Sequence, residues 1–421
     1  MPSPFSLPVH ALRLAGRCLL PLVLWYSAAQ AARWALLYGA TEISHGDWRQ
    51  VRLIVSIAML TLVVLISMTM ITGMFLSLRR VSWEGRARLA AGQSPEPFWR
   101  SLNRIGPAFA VIYLAWELHL QDARDYQQVE LFHNVDSDFY KTIFNNIANN
   151  TSNETTYGRG LVDLDWRWSL AAMVVTFGLR VLFGRMAEQG SGRLSGVAAA
   201  FAEFSFVFCG LNALFNFTSA RLDWAEHRAV SESTTQLWDH AKETVPGWDA
   251  FWTWLGATKP YILDALAVPL TWLAIAVLVF GAAAVDDTRR AVRGAGRLER
   301  GVERLEDSHQ VTQKAMERVV GGFQERWVPV VNAFRITLRA GATLFGLMCL
   351  IYVGLHVGFD YLDRVIRTVI GSYQPYFWYV LDWPLVFLKD MIVTILSFAT
   401  LAATFDIAAT RARLRGEDIT A

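Results

Sequence analysis

From Leu53 to Leu78 the chain carries no charged side chain, and the run is closed by Arg79-Arg80. At 1.5 Å per residue a helix over these positions is about 39 Å long, more than the roughly 30 Å of hydrocarbon in a bilayer. An unbroken apolar rod of this length is expected to cross a membrane. Composition agrees: 53% of the residues are hydrophobic, 18% are charged and there are 17 Trp, the balance of a multispan membrane protein. A formal net charge of only +2 offers no electrostatic footprint for nucleic acid.

Further apolar stretches at about 11–38, 106–121, 168–185, 195–218, 262–284, 336–358 and 384–408 bring the expectation to about eight transmembrane helices in an all-α polytopic fold. Arg13 and Arg17, followed by an apolar run to Ala29-Gln30-Ala31, also read as a signal peptide. Membership of that segment in an internal repeat argues against cleavage. Arginines 79, 80, 86, 88, 100 and 104 crowd the second connection and 411, 413 and 415 follow the last span, whereas one intervening connection holds Asp122, Asp125, Glu130, Asp136, Asp138, Glu154, Asp163 and Asp165. Positive residues stay inside, so both termini are expected in the cytoplasm. The layout is then spans one to six in 1–285, with external connections at about 122–166 and 219–261. A cytoplasmic arm at 286–330, spans seven and eight in 331–410 and a cytoplasmic tail at 411–421 complete it.

The repeat is carried by a bulky apolar residue, a ring, any residue and a small one. It occurs as Trp25-Tyr26-Ser27-Ala28, Ile112-Tyr113-Leu114-Ala115, Val207-Phe208-Cys209-Gly210 and Ile351-Tyr352-Val353-Gly354. Four residues beyond the ring, on the same helix face, stand Gln30, Glu117, Asn212 and His356. The expectation is four two-helix copies; closed around an axis, they set Glu117 opposite His356 and Gln30 opposite Asn212. The returning helices are announced by Asp47-Trp48, Asp165-Trp166, Asp264-Ala265 and Asp382-Trp383. Between the helices recur Gly39, Gly158, Gly256 and Gly371. These can end short re-entrant helices whose carbonyls face a central path, or they can be C′ caps after interfacial segments. The first reading resembles the helix, pore loop, helix architecture of potassium channels and four-repeat potassium transporters. The sequence departs from it in lacking a Thr-Val-Gly-Tyr-Gly string and in leaving no room for a pore helix before Gly39.

In the arm, Ala291, Ala295, Leu298, Val302, Leu305 and His309 begin a series of alternating three- and four-residue steps, the spacing of a coiled-coil seam. Asp307-Ser308-His309-Gln310 supplies a helix restart, so a helical hairpin is expected there. A helix on the membrane surface and a seam for another copy or a cytoplasmic partner are the alternatives.

No Gly-rich phosphate loop, HExxH, Cys/His metal spacing or nucleophile elbow occurs, and Cys18, Cys209 and Cys349 all fall in apolar stretches. Neither a cofactor, a bound metal nor catalysis is expected. The ionisable residues at membrane depth are Glu117, His119, Arg180, Glu203, His356 and the Lys389-Asp390 pair, with Arg33 and Asp406 nearer the span ends. Such groups are costly in lipid and face the bundle interior, a partner or water. They are expected to line a hydrated path for an ion, a cation above all, or a small solute through a bacterial inner membrane. The structural alternative is pairing, for example Glu117 or Glu203 with Arg180, and snorkelling for Arg33, Lys389 and Asp406. A membrane scaffold or sensor acting through its arm is the rival function, and an enzyme acting on lipid a third.

Overall fold

The structure is a computed structural model, and it describes residues 3–44, 47–92, 97–115, 121–131, 164–188, 195–226, 252–254, 256–258, 261, 265–266, 268–280, 342–371 and 375–414. These residues are helical apart from short turns, with no strand among them. The elements are a short 3₁₀ turn (Pro4–Ser6), α1 (Leu7–Arg17), α2 (Leu19–Ser44), α3 (Arg49–Val81), α4 (Trp83–Ala90) and α5 (Phe98–Ala115). They continue as α6 (121–131), α7 (Trp166–Glu188), α8 (Ser195–Glu226), α9 (Val268–Phe280), α10 (Ala342–Ile370) and α11 (Pro375–Leu414).

Five described helices, α3, α7, α8, α10 and α11, are long and apolar enough to cross a membrane. The pair α1–α2, bent by 72° at Cys18, adds a sixth if it counts as one span. The apolar part of α9, Val268–Val277, is shorter than a span. Residues 286–330 lie outside the described residues, as do 132–163 of the first long connection, whereas 121–131 of that connection form helix α6.

The chain divides into two compact units, one of Met1–Ala28, Thr69–Phe109 and Pro260–Ala421, the other of Ala29–Met68 and Ala110–Lys259. In the first, α11 is central: every residue from Ser397 to Thr410 is buried. Alanines 399, 402, 403, 408 and 409 make that stretch slim, so neighbouring helices come close, and α1, α9 and α10 all pack on it. Phe75 stacks on Phe398 at 4.9 Å between ring centres, and Phe280 meets Phe405 at 5.2 Å. Gly73 of α3 makes room for the Trp25 indole, which any Cβ there would overlap.

The far halves of α10 and α11 correct a sequence expectation. The chain between spans seven and eight was expected to hold a loop around Gly371, with Asp382-Trp383 opening the last helix. Instead α10 runs on to Ile370, and Asp382 and Trp383 lie inside α11. The charges that lower the hydropathy of this stretch are neutralised on the helices: Arg367 bonds Asp363 one turn back at 2.8 Å and Asp382 across at 2.5 Å, and Lys389 bonds Asp360 at 3.1 Å. Gly371, at φ 88°, terminates α10 and donates its N–H to the Arg367 carbonyl, the C′ cap alternative.

In the second unit, Leu37 and Ala40 of α2, Leu60 and Val63 of α3 and Tyr126 of α6 form a fully buried cluster. Gly39 lies inside α2 rather than at the end of a helix, and a Cβ there would crowd the Met59 side chain at 3.2 Å. Its role is close helix approach. α7 and α8 pack side by side along their lengths.

Candidate functional site

Asp406 is completely buried, five residues before Arg411 and so about 8 Å along the helix from it. An ionised carboxylate there needs partners, and the short helix α4 supplies two. Ser82 takes the N-cap position of α4, and its hydroxyl accepts from the Gly85 N–H at 3.0 Å. The Trp83 and Glu84 N–H groups, which have no partner within the helix, donate to the two Asp406 oxygens at 2.8 Å each. The carboxylate thus sits at the positive end of a helix dipole. Gly85 is required, because a Cβ would overlap the Arg79 carbonyl oxygen.

The third partner comes from α1. Its buried face consists of Leu7, His10, Ala11, Leu14 and Ala15, and His10 Nε2 lies 2.8 Å from Asp406 Oδ2. The ring stacks on the Trp83 indole, with centres 3.8 Å apart and planes 22° from parallel. The carboxylate fixes a hydrogen on Nε2. Nδ1 is buried and, among the described residues, has no hydrogen-bond partner. A neutral ring presents a lone pair there and a protonated ring an N–H; either is a polar atom awaiting a partner. Bonds to a charged group contribute about 1.5–3 kcal/mol each, enough in sum to offset the several kcal/mol cost of burying Asp406.

Around this centre the charges are matched. Glu84 is buried, accepts from Arg88 Nε at 3.0 Å and faces Arg413 Nη1 at 3.5 Å. Arg88 also donates to the Phe280 carbonyl at 3.1 Å and Arg79 to the Val279 carbonyl at 3.0 Å, which ties α3 and α4 to α9. The arrangement can take up a proton or hold a cation. Among the described residues no three His, Cys, Asp or Glu are grouped to hold a metal ion.

The residues singled out from sequence fall elsewhere. All four rings of the repeat, Tyr26, Tyr113, Phe208 and Tyr352, are buried. The polar residues four positions on are less so: Gln30 and Asn212 are half-buried, His356 is exposed and tilts against Tyr352 at 4.7 Å. Glu117 and His119 lie outside the described residues, as does Gly158. Gln30 and Asn212 belong to the second unit and His356 to the first. Asn212 Oδ1 accepts from the Ser169 hydroxyl at 3.0 Å, and Arg180 stands 3.5 Å from Glu203, two ties between α7 and α8. Gly256 lies in a single helical turn, 256–258.

Arg33 does not snorkel. Its Nη2 reaches Asp122 and Asp125, both at 2.6 Å, and Asp122 also accepts from the Tyr113 hydroxyl at 2.5 Å, so α2, α5 and α6 are joined at one point. Asp406, also assigned to a span end, is instead the buried anchor of the first unit. His10 escaped sequence reasoning because it precedes the first long apolar run. The available signal was its place with Leu7, Ala11 and Leu14 on one helical face.

No known family, curated protein or solved structure matches the chain.

Proposed function

We propose that the protein is a multi-pass membrane channel or transporter for an ion or small solute, a cation above all, and that His10 and Asp406 form its protonatable or cation-holding centre. The observation that carries this reading is the buried His10 Nδ1, without a partner among the described residues, beside a fully buried carboxylate. A buried polar atom lacking a protein partner is a place for water, an ion or a solute. A proton arriving at Nδ1 makes the ring cationic beside Asp406, and its release restores the pair. Eight spans in four two-helix copies, both termini in the cytoplasm of a bacterial inner membrane, suit the arginines at the ends of α3 and α11 and on α4.

Purified protein in liposomes should dissipate an imposed proton or cation gradient faster than protein-free liposomes do; equal rates for every cation tried would remove the transport reading. The rival is a non-transporting scaffold or sensor acting through residues 286–330. It is favoured by the Ser169–Asn212 and Arg180–Glu203 contacts, which join neighbouring helices as polar glue.

A further inference from the structure

We propose that α1 is an in-plane helix that binds the anionic phospholipid headgroups of the leaflet at its end of the protein. The inference rests on the reading that α2 by itself forms the first span, with α1 outside it, and not on transport. α1 meets α2 at 72°. A helix so inclined to a span that is itself close to the bilayer normal lies close to the membrane plane.

One face of α1 is used up against α11. The opposite face is open and apolar: Val9 and Leu12 are each 61% exposed, Phe5 of the preceding 3₁₀ turn is 74% exposed, and the strip continues on the first turn of α2 through Leu20, 70% exposed. Along the flank of that strip, one turn apart, stand the exposed Arg13 and Arg17. Neither enters an ion pair among the described residues, while the nearby acids are occupied, Glu84 by Arg88 and Arg413 and Asp406 by α4 and His10. An apolar strip flanked by unmatched arginines, on a helix lying in the plane, is the pattern of an interfacial helix, with side chains in the acyl boundary and cations among headgroup phosphates. Water alone would leave the strip uncompensated, and a protein partner gives no reason for the coincidence of bend angle and charge.

The test uses the full-length protein in vesicles with a fluorescent label on Leu12→Cys, the native cysteines being buried. A second label goes on Leu24→Cys, 60% exposed in α2. Brominated phosphatidylcholine should quench both labels, and brominated phosphatidylglycerol at the same mole fraction should quench the Leu12 site several-fold more efficiently. Each basic residue beside an anionic leaflet is worth about 1 kcal/mol, roughly fivefold, so Arg13→Gln with Arg17→Gln should abolish that preference without changing quenching at Leu24. Quenching at Leu24 but only by aqueous iodide at Leu12 overturns the in-plane helix and leaves the span intact. Leu12 protected from both quenchers means that protein covers the face, which also overturns it. Equal quenching by the two lipids in the unsubstituted background removes the anionic preference, and absence of lipid quenching at both sites removes the span as well.

Discussion

Asp406 Oδ2 and His10 Nε2 stand 2.8 Å apart although 396 positions separate them in the chain. The first α-helix is thereby fastened to the last, and the same carboxylate anchors the N-terminus of α4. A single buried carboxyl group therefore organises three elements.

Removing that group strands the Trp83 and Glu84 N–H groups and the His10 ring together. Asp406→Ala should cost about 3–5 kcal/mol, the range for breaking a buried charged contact by deleting one partner. Asp406→Asn should cost less, since its carbonyl can still accept one N–H. Denaturation of the detergent-purified variants measures both, and an Asp406→Ala protein as stable as the parent would refute the anchoring role.

Gly85→Ala puts a methyl group onto the Arg79 carbonyl oxygen and the Ser82 hydroxyl, at the point where α3 turns into α4. The backbone has to move, and the capping bonds move with it. The expected result is a loss of thermal stability comparable to Asp406→Ala. Gly178→Ala, where an added Cβ meets nothing within 4 Å, should be close to neutral and serves as the control.

Tyr126 is fully buried, and burial pushes its phenol above the ordinary value. The folded protein keeps that proton at pH values where the unfolded chain has released it. Its stabilising contribution is thus complete below about pH 10 and declines as pH rises beyond it. Tyr126→Phe should match the parent at neutral pH and lose a smaller fraction of its stability between pH 9 and 11. Identical alkaline slopes for the two proteins would contradict this.

Much of the membrane character was legible because α3 and the apolar halves of α10 and α11 are long and nearly free of charge. Element ends were less so. Asp360, Asp363, Arg367 and Asp382 look like loop residues by hydropathy, yet they are helical, and what keeps them so is pairing along α10 and across to α11, where Lys389 meets Asp360. The centre was hidden for a similar reason. Asp406 looks like an end-of-span residue when only its own helix is considered. Its depth is set by α4 and by His10, neighbours that no local pattern reveals. Ser82 caps α4, and a capping serine does not say which carboxylate will face the helix start.

The most direct test separates the hydrogen bond of His10 from its ability to carry charge. In His10→Gln the amide can donate to Asp406 as Nε2 does, but the side chain cannot be protonated. His10→Gln should keep a melting temperature close to that of the parent, with cation or proton flux in liposomes reduced at least tenfold. Flux per folded molecule equal to the parent would contradict the transport role and leave His10 and Asp406 as a structural clasp.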